Sequence, residues 1–395
     1  MLSKYRLISN ADLEQYYQLY LYAFNTPDEP RRRQYFFDRL GHGLSYGLKN
    51  NSGLTSALYS LPFTINFHGV TYKMNGIGDV ATAPESAGQG GASILLQDAL
   101  NDMYENNVTL SYLAPFSFAY YRRLGYEQAF SHLHYSLASG DVPSYRSRHP
   151  EGHVSRQPLQ NVLPETAAFY GQFSQQGLKG GLIRDKWWWN YLSIKNEWQV
   201  GLYYDEHEKV QGYVIYEYSP TRLTVKEFLY GSTAAFEHLL SFIFNHKNSV
   251  PKINFDSPDV TYHGDWLGDP YSLSSRVVPY MMARIVDLKD FLTRYPYLKQ
   301  TFGPIVLPVK DESLPQNSGV WRLFAQNGQN EIKKIGPLTS RDTKYISIQQ
   351  LTKALFGTTS VLEITTTGKA ALEPQTVKKL NEILVDEPPE LVDYF

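Results

Sequence analysis

The sequence predicts a protein of mixed α/β and α+β class that contains more than one domain. In the first third of the chain, patterns for two helices and several strands precede a glycine-rich turn, which is followed by a helix, a strand and a helix. Much of this order recurs in the middle third without the glycine-rich turn, and the remaining part alternates strands with helices. The length of 395 residues is sufficient for two or three domains of roughly 150 residues each.

The elements of the first third follow from local patterns. Residues 11–24 carry apolar and aromatic side chains at helical spacing, and Asn10 and Asp12 can cap that helix. The run Arg31–Arg33 predicts the solvated face of a second helix. The other expected elements are strands at 54–59, 63–67 and 72–74 with a turn at His68–Gly69, a helix at 93–105, a strand at 108–113, and a helix at 116–123 that Gly125 closes.

The glycine-rich turn lies in the segment Asp79–Leu96, between an apolar strand and a helix. Gly88, Gly90 and Gly91 allow the backbone to approach a ligand closely because they lack a Cβ. The N–H groups at the start of the following helix then point at an anion. The segment therefore predicts a cradle for a pyrophosphate, and the alternative is a tight turn without a ligand. A dinucleotide-binding loop fits less well, because no acidic residue ends a second strand about 20 residues further on.

Composition excludes several classes of function. The net charge of −2 argues against binding of nucleic acid. The absence of cysteine excludes disulfides, thiolate metal sites and a cysteine nucleophile. His132 and His134 form a pair without an obvious third ligand, so no metal site is expected. The N-terminus has no apolar signal core, and no apolar run is long enough to span a membrane, so we expect a cytoplasmic protein.

The middle third has the same order of helices and strands, but residues 229–236 contain no glycine-rich cradle. We therefore expect a second domain that kept the fold without the cofactor loop. A polar stretch rich in Pro, Ser and Arg at 138–165 predicts a linker before it. In the middle third we expect helices at 164–176 and 232–246 and strands at 199–204, 210–218 and 223–228.

In the last part of the chain we expect helices at 287–295, 347–355 and 376–384 and strands at 303–309, 320–325 and 332–334.

The cradle and the elements around it resemble the acetyl-coenzyme A site of the GNAT acetyltransferases. The loop of that family reads Gln/Arg-x-x-Gly-x-Gly/Ala, and here the frame runs from Ala87 to Ala92. Gly90 and Ala92 match the two small positions, whereas Ala87 replaces the usual charged or polar residue. One contact to the pyrophosphate is therefore expected to be missing.

Two GNAT-like units followed by a sterol-carrier-protein-like tail resemble the Eis (enhanced intracellular survival) acetyltransferases. The resemblance places the three domains at 1–140, 141–288 and 289–395. It implies transfer of an acetyl group from acetyl-coenzyme A to primary amines of cationic acceptors, such as aminoglycosides, polyamines or lysine side chains, and it implies a hexamer. The segments that carry the resemblance are the cradle, Tyr121–Tyr126, Arg284–Leu288, Ile346–Leu351 and Asp393–Phe395.

The resemblance also assigns residues to roles. Tyr126 matches the general acid of the family, and a tyrosine with an ordinary pKa of about 10 still carries its proton at neutral pH. Phe395 matches the C-terminal residue whose carboxylate acts as general base. Cofactor contacts are assigned to Val80, Ala81, Thr82, Ala87, Gly88, Gln89, Gly90, Gly91, Ala92 and Tyr121, and walls of the acceptor pocket to Phe24, Asp28 and Phe36.

Alternative interpretations of these residues remain open at this stage. Tyr126 is one of 31 tyrosines and can be an ordinary core residue. Phe395 can belong to a frayed terminus, which is the default for most chains. The rival for the whole protein is a non-catalytic carrier of a lipid or acyl ligand, with a relic cradle.

Overall fold

The computed structural model describes residues 3–264, 267, 269–339 and 343–395. The chain forms two compact units. The first contains the residues up to Phe130, Tyr280–Pro389 and Asp393–Phe395, and the second contains Ser131–Pro279 and Glu390–Val392. The domain boundaries expected near residues 140 and 288 stay predictions. The division into units follows compactness, and it assigns the residues up to Phe130 and most of the C-terminal third to one unit.

The first part of the chain forms the elements that its local patterns predict. The segments 54–59 and 63–67, expected as two strands, form one long strand. The helix cap also differs from expectation, because the side chain of Ser9, not Asn10 or Asp12, accepts the N–H of Asp12. The elements are β1 (Ser3–Arg6), α1 (Asn10–Ala23), α2 (Pro30–Leu40), β2 (Leu44–Asn50), β3 (Gly53–Phe67), β4 (Val70–Thr82), α3 (Gly91–Glu105), β5 (Leu110–Leu113), α4 (Phe118–Arg122) and β6 (Glu127–Gln128).

A divergence between β4 and β5 opens the first sheet. The two strands are parallel and pair from Met74↔Leu110 to Ile77↔Leu113, where β5 ends. β4 continues to Thr82 while pairing with β3 on its other side. The residues of β4 beyond Ile77 therefore have an edge that β5 does not occupy. A ligand can add to such an edge through main-chain hydrogen bonds.

The second unit contains a similar arrangement of strands and helix. Its seven-stranded sheet has the order β14-β7-β13-β12-β11-β10-β8, with β12 and β13 parallel and α7 between them in the chain. The predicted linker at 138–165 contains a strand, β8. The elements are β7 (Ser131–Ala138), β8 (His153–Pro158), α5 (Leu163–Gln176), β9 (Lys179–Leu182), α6 (Lys186–Lys195), β10 (Gln199–Tyr204), β11 (Val210–Ser219), β12 (Arg222–Tyr230), α7 (Thr233–Phe244), β13 (Lys252–Ser257) and β14 (Ser274–Pro279).

The remaining elements belong to the first unit. The strand β15 pairs with β5 and β6, which gives the path β1-β2-β3-β4-β5-β15-β6 in the first sheet. A four-stranded sheet has the order β18-β17-β16-β19. The helix α10 has no counterpart among the predicted elements. These elements are β15 (Met282–Ile285), α8 (Leu288–Arg294), β16 (Phe302–Lys310), β17 (Gly319–Gln326), β18 (Gln329–Gly336), β19 (Ile346–Ser347), α9 (Ile348–Leu355), α10 (Val361–Thr366) and α11 (Pro374–Asn381).

The helices in the described part of the chain do not combine the length and hydropathy that crossing a bilayer requires.

Candidate active site

The start of α3 has no side-chain cap. Gly90 precedes the helix with a left-handed backbone (φ 80°), and its position as N-cap brings no side-chain hydrogen bond to the helix. Gly88 is also left-handed (φ 77°), and both glycines are exposed. Gly91 packs so closely on Ser56 that an added Cβ would overlap its hydroxyl. The N–H groups of the first turn therefore remain available to an anion, because no side chain caps them.

The equivalent helix of the second unit begins differently. Ser232 is the N-cap of α7, and its hydroxyl accepts the N–H of Ala235. A side-chain oxygen therefore occupies one of the N–H groups that a pyrophosphate would use. This difference supports the prediction that the second domain lacks a cofactor loop.

The outer part of β4 presents its main chain beside the cradle. Ala81 pairs with Ala57 and Thr82 with Ser56 on β3, whereas β5 has already ended. The hydroxyl of Thr82 lies 3.0 Å from that of Ser56 and is thus engaged towards β3. The N–H of Ala83 donates to the carbonyl of Thr55 on β3, and backbone groups alternate between the two edges of a strand. Val80 and Thr82 therefore offer their backbone groups to a ligand in the divergence, whereas those of Ala81 face β3.

Tyr126 is a buried tyrosine on a hydrogen-bonded path to β4. Its hydroxyl lies 2.7 Å from Oγ of Ser111, which in turn donates to the carbonyl of Asn75 over 3.0 Å. Because the Ser111 proton is used there, Tyr126 donates to Ser111. Burial raises the pKa of Tyr126 to about 12, although the interaction with Ser111 and the charge of Arg284 act in the opposite direction. The side chain of Tyr121 is buried in the same core, with its ring centroid 6.1 Å from that of Tyr126, and its expected contact with a cofactor stays a prediction.

A buried ion pair holds the loop that carries Tyr126. Nη1 of Arg284 donates to the carbonyl of Leu124 over 2.6 Å, and Nη2 lies 2.9 Å from both carboxylate oxygens of Asp311. Both side chains are fully buried. Gly125 is left-handed (φ 84°), and an added Cβ would overlap the Arg284 guanidinium. The sequence singled out Arg284 only as part of a motif, and nothing local pointed to Asp311.

The C-terminal residues are packed rather than frayed. Phe395 is 4% exposed, and its ring centroid lies 5.2 Å from that of Phe63. A Cβ added at Gly76 would come within 2.5 Å of the Phe395 ring, so the ring lies directly on the backbone of β4. Upstream, the hydroxyl of Tyr280 donates to the carbonyl of Asp393 over 3.3 Å.

The Phe395 ring and the hydrogen-bonded path from Tyr126 thus reach neighbouring residues of β4. Phe395 packs on Gly76, and the path from Tyr126 through Ser111 ends on the carbonyl of Asn75. Both residues directly precede Ile77, the last residue of β4 that pairs with β5.

The three expected acceptor residues lie in different surroundings. Phe24 is 50% exposed and packs on Tyr20. Asp28 accepts a hydrogen bond of 2.6 Å from the hydroxyl of Tyr17. Phe36 is 0% exposed and packs between α1 and α2 against Tyr17 and its neighbours, so its ring lies in the core and not on a pocket surface as expected.

A cavity of about 480 Å³ bears on the carrier alternative. It lies in the first unit against β17 and β18, and its lining includes Trp321 together with Lys289, Lys333 and Lys334. Ile332 and Ile335 also line the cavity, so its surface combines apolar and cationic side chains. Among the described residues, no group of three or more His, Asp or Glu side chains is arranged to hold a metal ion.

Three family models match the chain in succession. Acetyltransferase (GNAT) domain models match residues 4–129 and 180–285, and a sterol carrier protein domain model matches residues 288–392. No curated protein matches the chain.

Solved structures share the whole architecture. A probable N-acyltransferase from Enterococcus faecalis V583 is 30% identical with a TM-score of 0.91, and the match covers all of both chains. A GCN5-related N-acetyltransferase from Anabaena variabilis (23% identical, TM-score 0.87) and Eis1 from Mycobacterium abscessus (17% identical, TM-score 0.79) also match over all of both chains and show the same fold. The mixed α/β and α+β class is therefore confirmed, and the chain is an acyltransferase enzyme that belongs to the GNAT acetyltransferases, as an Eis-like member with two GNAT domains followed by a sterol-carrier-protein domain.

Proposed function

We propose that this enzyme transfers an acetyl group from acetyl-coenzyme A to a primary amine of a cationic acceptor. The observation that carries the proposal is the meeting of the last residue and Tyr126 at Asn75 and Gly76, where the first sheet opens. The Phe395 ring and the hydrogen-bonded path from Tyr126 contact adjacent residues of one strand, and this adjacency supports a shared role in the reaction.

The residues around the divergence fit acetyl-coenzyme A as a co-substrate. The backbone of Ala87–Ala92, including Gln89, would hold the pyrophosphate through N–H groups at the uncapped start of α3. The edge of Val80–Thr82 would pair with the pantetheine amides. Because Ala87 supplies no charge, we expect the main-chain N–H groups and the helix dipole to provide most of the free energy of pyrophosphate binding.

The reaction would proceed by direct attack. The nitrogen lone pair of the acceptor forms a bond with the thioester carbonyl carbon, and the carbon–sulfur bond breaks. Tyr126 gives its proton to the departing sulfur, while the Phe395 carboxylate takes the proton that the nitrogen loses. These transfers leave an amide, a free thiol, a Tyr126 phenolate and a protonated Phe395 carboxyl group. Proton exchange through solvent returns both groups to their starting states, so the net change is one proton moved from nitrogen to sulfur.

The pKa values constrain the timing of these proton transfers. With a pKa of about 12, Tyr126 is a weak acid towards a free thiolate, whose conjugate thiol has a pKa of about 8.5. Complete transfer to a free thiolate would be uphill by about 5 kcal/mol, so the proton has to move as the carbon–sulfur bond breaks. A carboxylate is likewise a poor base for an ammonium ion, by roughly 9 kcal/mol. Phe395 therefore acts after attack, when the nitrogen is much more acidic.

The acceptor class follows from the side chains of α1 and the loop after it. Phe24 presents a half-exposed ring, and the Asp28 carboxylate, which accepts from Tyr17 and lies 3.6 Å from Nη1 of Arg33, is nearby in the chain. A cationic amine is attracted by both kinds of group. We therefore propose amines with at least one further positive charge as acceptors.

The test is release of free coenzyme A from acetyl-coenzyme A in the presence of polyamines, aminoglycosides and lysine peptides. The intact chain is compared with three forms: one that lacks Phe395, one extended by Gly-Ser, and Phe395→Leu. Deletion and extension both displace the carboxylate, whereas Phe395→Leu keeps it and loses only the ring. We expect turnover to fall by about 10²-fold or more in the first two and much less in the third.

Two results would contradict the proposal in different ways. Full activity of the extended chain would remove the carboxylate from the mechanism and leave the transferase intact. An intact chain that binds acetyl-coenzyme A but acetylates none of the amines would remove the proposed acceptor class.

A further inference from the structure

A β-bulge interrupts β4 where it leaves β5. Ala81 pairs with Ala57 and Gly78 pairs with Tyr59, so Leu58 of β3 faces two residues of β4, Asp79 and Val80. Asp79 has a left-handed backbone (φ 44°), which is uncommon for a residue other than glycine. Bulges and such backbone angles occur often at functional sites, where the surroundings must hold them.

Arg39 and Asp79 form a buried ion pair at this bulge. The Arg39 guanidinium donates to Oδ2 of Asp79, and the two side chains are 3% and 12% exposed. The guanidinium also lies 4.3 Å from the centroid of the Tyr59 ring. That ring covers Gly78, because an added Cβ there would overlap the Tyr59 hydroxyl. The carboxylate of Asp79 is therefore fixed by α2, and the backbone before it is fixed by β3.

A hydrogen bond from α1 fixes the peptide that follows. The fully buried Tyr16 donates its hydroxyl to the main-chain carbonyl of Asp79 over 3.1 Å. In a trans peptide the carbonyl and the N–H point in opposite directions. The N–H of Val80 consequently points away from α1 and from Tyr16.

We propose that Tyr16, Arg39 and Asp79 are positioning residues that hold the Asp79–Val80 peptide so that the N–H of Val80 donates to the carbonyl oxygen of the thioester. This inference rests on the proposed acetyl transfer. A donor that is already oriented stabilises the negative charge that develops on this oxygen during attack, without the cost of reorganisation. The three residues would thus raise kcat without contacting acetyl-coenzyme A through their side chains.

The experiment compares Tyr16→Phe with Tyr72→Phe, a matched control. Tyr72 is also buried in the first unit and donates its hydroxyl to a main-chain carbonyl, that of Phe291, over 3.3 Å. Both variants lose one buried hydrogen bond of the same type, so their losses of stability should be similar. A second variant, Asp79→Asn, keeps a residue that tolerates the left-handed backbone and weakens the ion pair.

The readouts separate positioning from stability. We measure kcat, the Kd of acetyl-coenzyme A, and the carbonyl stretching frequency of bound acetyl-coenzyme A labelled with ¹³C at the carbonyl. For Tyr16→Phe we expect kcat to fall about tenfold, the Kd to change less than about threefold, and the stretching frequency to rise, because the carbonyl loses part of its polarisation. Asp79→Asn should change in the same direction, and Tyr72→Phe should match the unchanged chain in kcat and frequency.

The outcomes distinguish this inference from the proposed function. If Tyr16→Phe keeps the kcat and carbonyl frequency of Tyr72→Phe while the intact chain acetylates amines, the inference is overturned and the proposed function stands. If the intact chain binds acetyl-coenzyme A without acetylating an amine, the proposed function fails. In that case the inference is judged by the carbonyl frequency alone, and a frequency in Tyr16→Phe equal to that of the intact chain would overturn it as well. If Tyr16→Phe does not fold, Asp79→Asn decides by the same frequency.

Discussion

At the residue scale, burial determines what Tyr126 can do. Its hydroxyl is removed from solvent and donates to Ser111, and desolvation raises its pKa to about 12. The phenol therefore remains protonated throughout the range in which a transferase is assayed. The same shift has a consequence for stability: the folded pKa exceeds the unfolded value of about 10, so this contribution is fully present below pH 10 and is lost as the pH rises through 12.

We expect the kcat of the intact enzyme to show no fall attributable to Tyr126 between pH 7 and about pH 10, because the group loses its proton only near its raised pKa. Tyr126→Phe should lower kcat by about 10² to 10⁴-fold at all these pH values, with an unchanged Kd for coenzyme A. The check is a pH profile of coenzyme A release beside calorimetric binding. A fall in kcat near pH 8 to 9 that is absent in Tyr126→Phe would show that the hydroxyl titrates far below the expected value.

At the element scale, the connection between β15 and the four-stranded sheet supports the loop of Tyr126. Asp311 follows β16 and accepts hydrogen bonds from Arg284, from the side-chain amide of Asn317, and from the N–H groups of Ser313 and Leu314. Arg284, held by Asp311, donates in turn to the carbonyl of Leu124 and so fixes the loop before Tyr126. The sterol-carrier-protein segment is thereby part of the structure that orients the expected acid.

We expect Asp311→Asn to destabilise the protein by about 3–5 kcal/mol, because it leaves the Arg284 guanidinium buried without a full counter-charge. Combining Arg284→Met with Asp311→Asn should recover much of this loss, since no unpaired charge remains and the amide oxygen can still accept from the N–H groups of Ser313 and Leu314. Activity should not recover with stability, because the bond to the carbonyl of Leu124 is missing. Denaturant unfolding and kcat are measured for both forms. Recovery of kcat in the double variant would show that the pair contributes stability alone.

At the scale of the whole molecule, the two GNAT domains differ at the start of one helix. Gly90 leaves the start of α3 open, whereas Ser232 caps α7 through Ala235. Both helices follow a strand and precede a parallel partner of that strand. The order of elements is thus shared, whereas the residue type at the N-cap differs, so that a side chain occupies a helix N–H group only at α7.

We expect one molecule of coenzyme A to bind per chain, at the first domain. The physical reason is that the serine oxygen at α7 already satisfies an N–H group that an anion would need. Titration calorimetry gives the stoichiometry, and Gly90→Ala should weaken that single site by placing a side chain on a left-handed backbone at the cradle. Two equivalent sites per chain would contradict this expectation.

The assembly predicted from the family resemblance is a hexamer, and its mass would be about six times the 45.2 kDa of the chain. Native mass spectrometry measures it directly. The hexameric state stays a prediction.

The sequence by itself determined the features that depend on neighbours in the chain. The cradle at Gly88–Gly91, the turn at His68–Gly69 and the helical spacing of α1 are local, because they follow from backbone freedom and periodicity over a few residues. Even there, the cap of α1 was placed on Asn10 or Asp12, whereas Ser9 supplies it, because capping positions differ by a single residue.

Only the tertiary structure decided which distant residues meet. Phe395 lies on Gly76, more than 300 residues earlier in the chain, and Arg39 pairs with Asp79 across two elements. Phe36 looked suited to a pocket wall, but packing of α2 against α1 places it in the core. Such contacts depend on the register of strands and the packing of helices, which local sequence patterns do not encode, because each is fixed by the burial of side chains from separate parts of the chain.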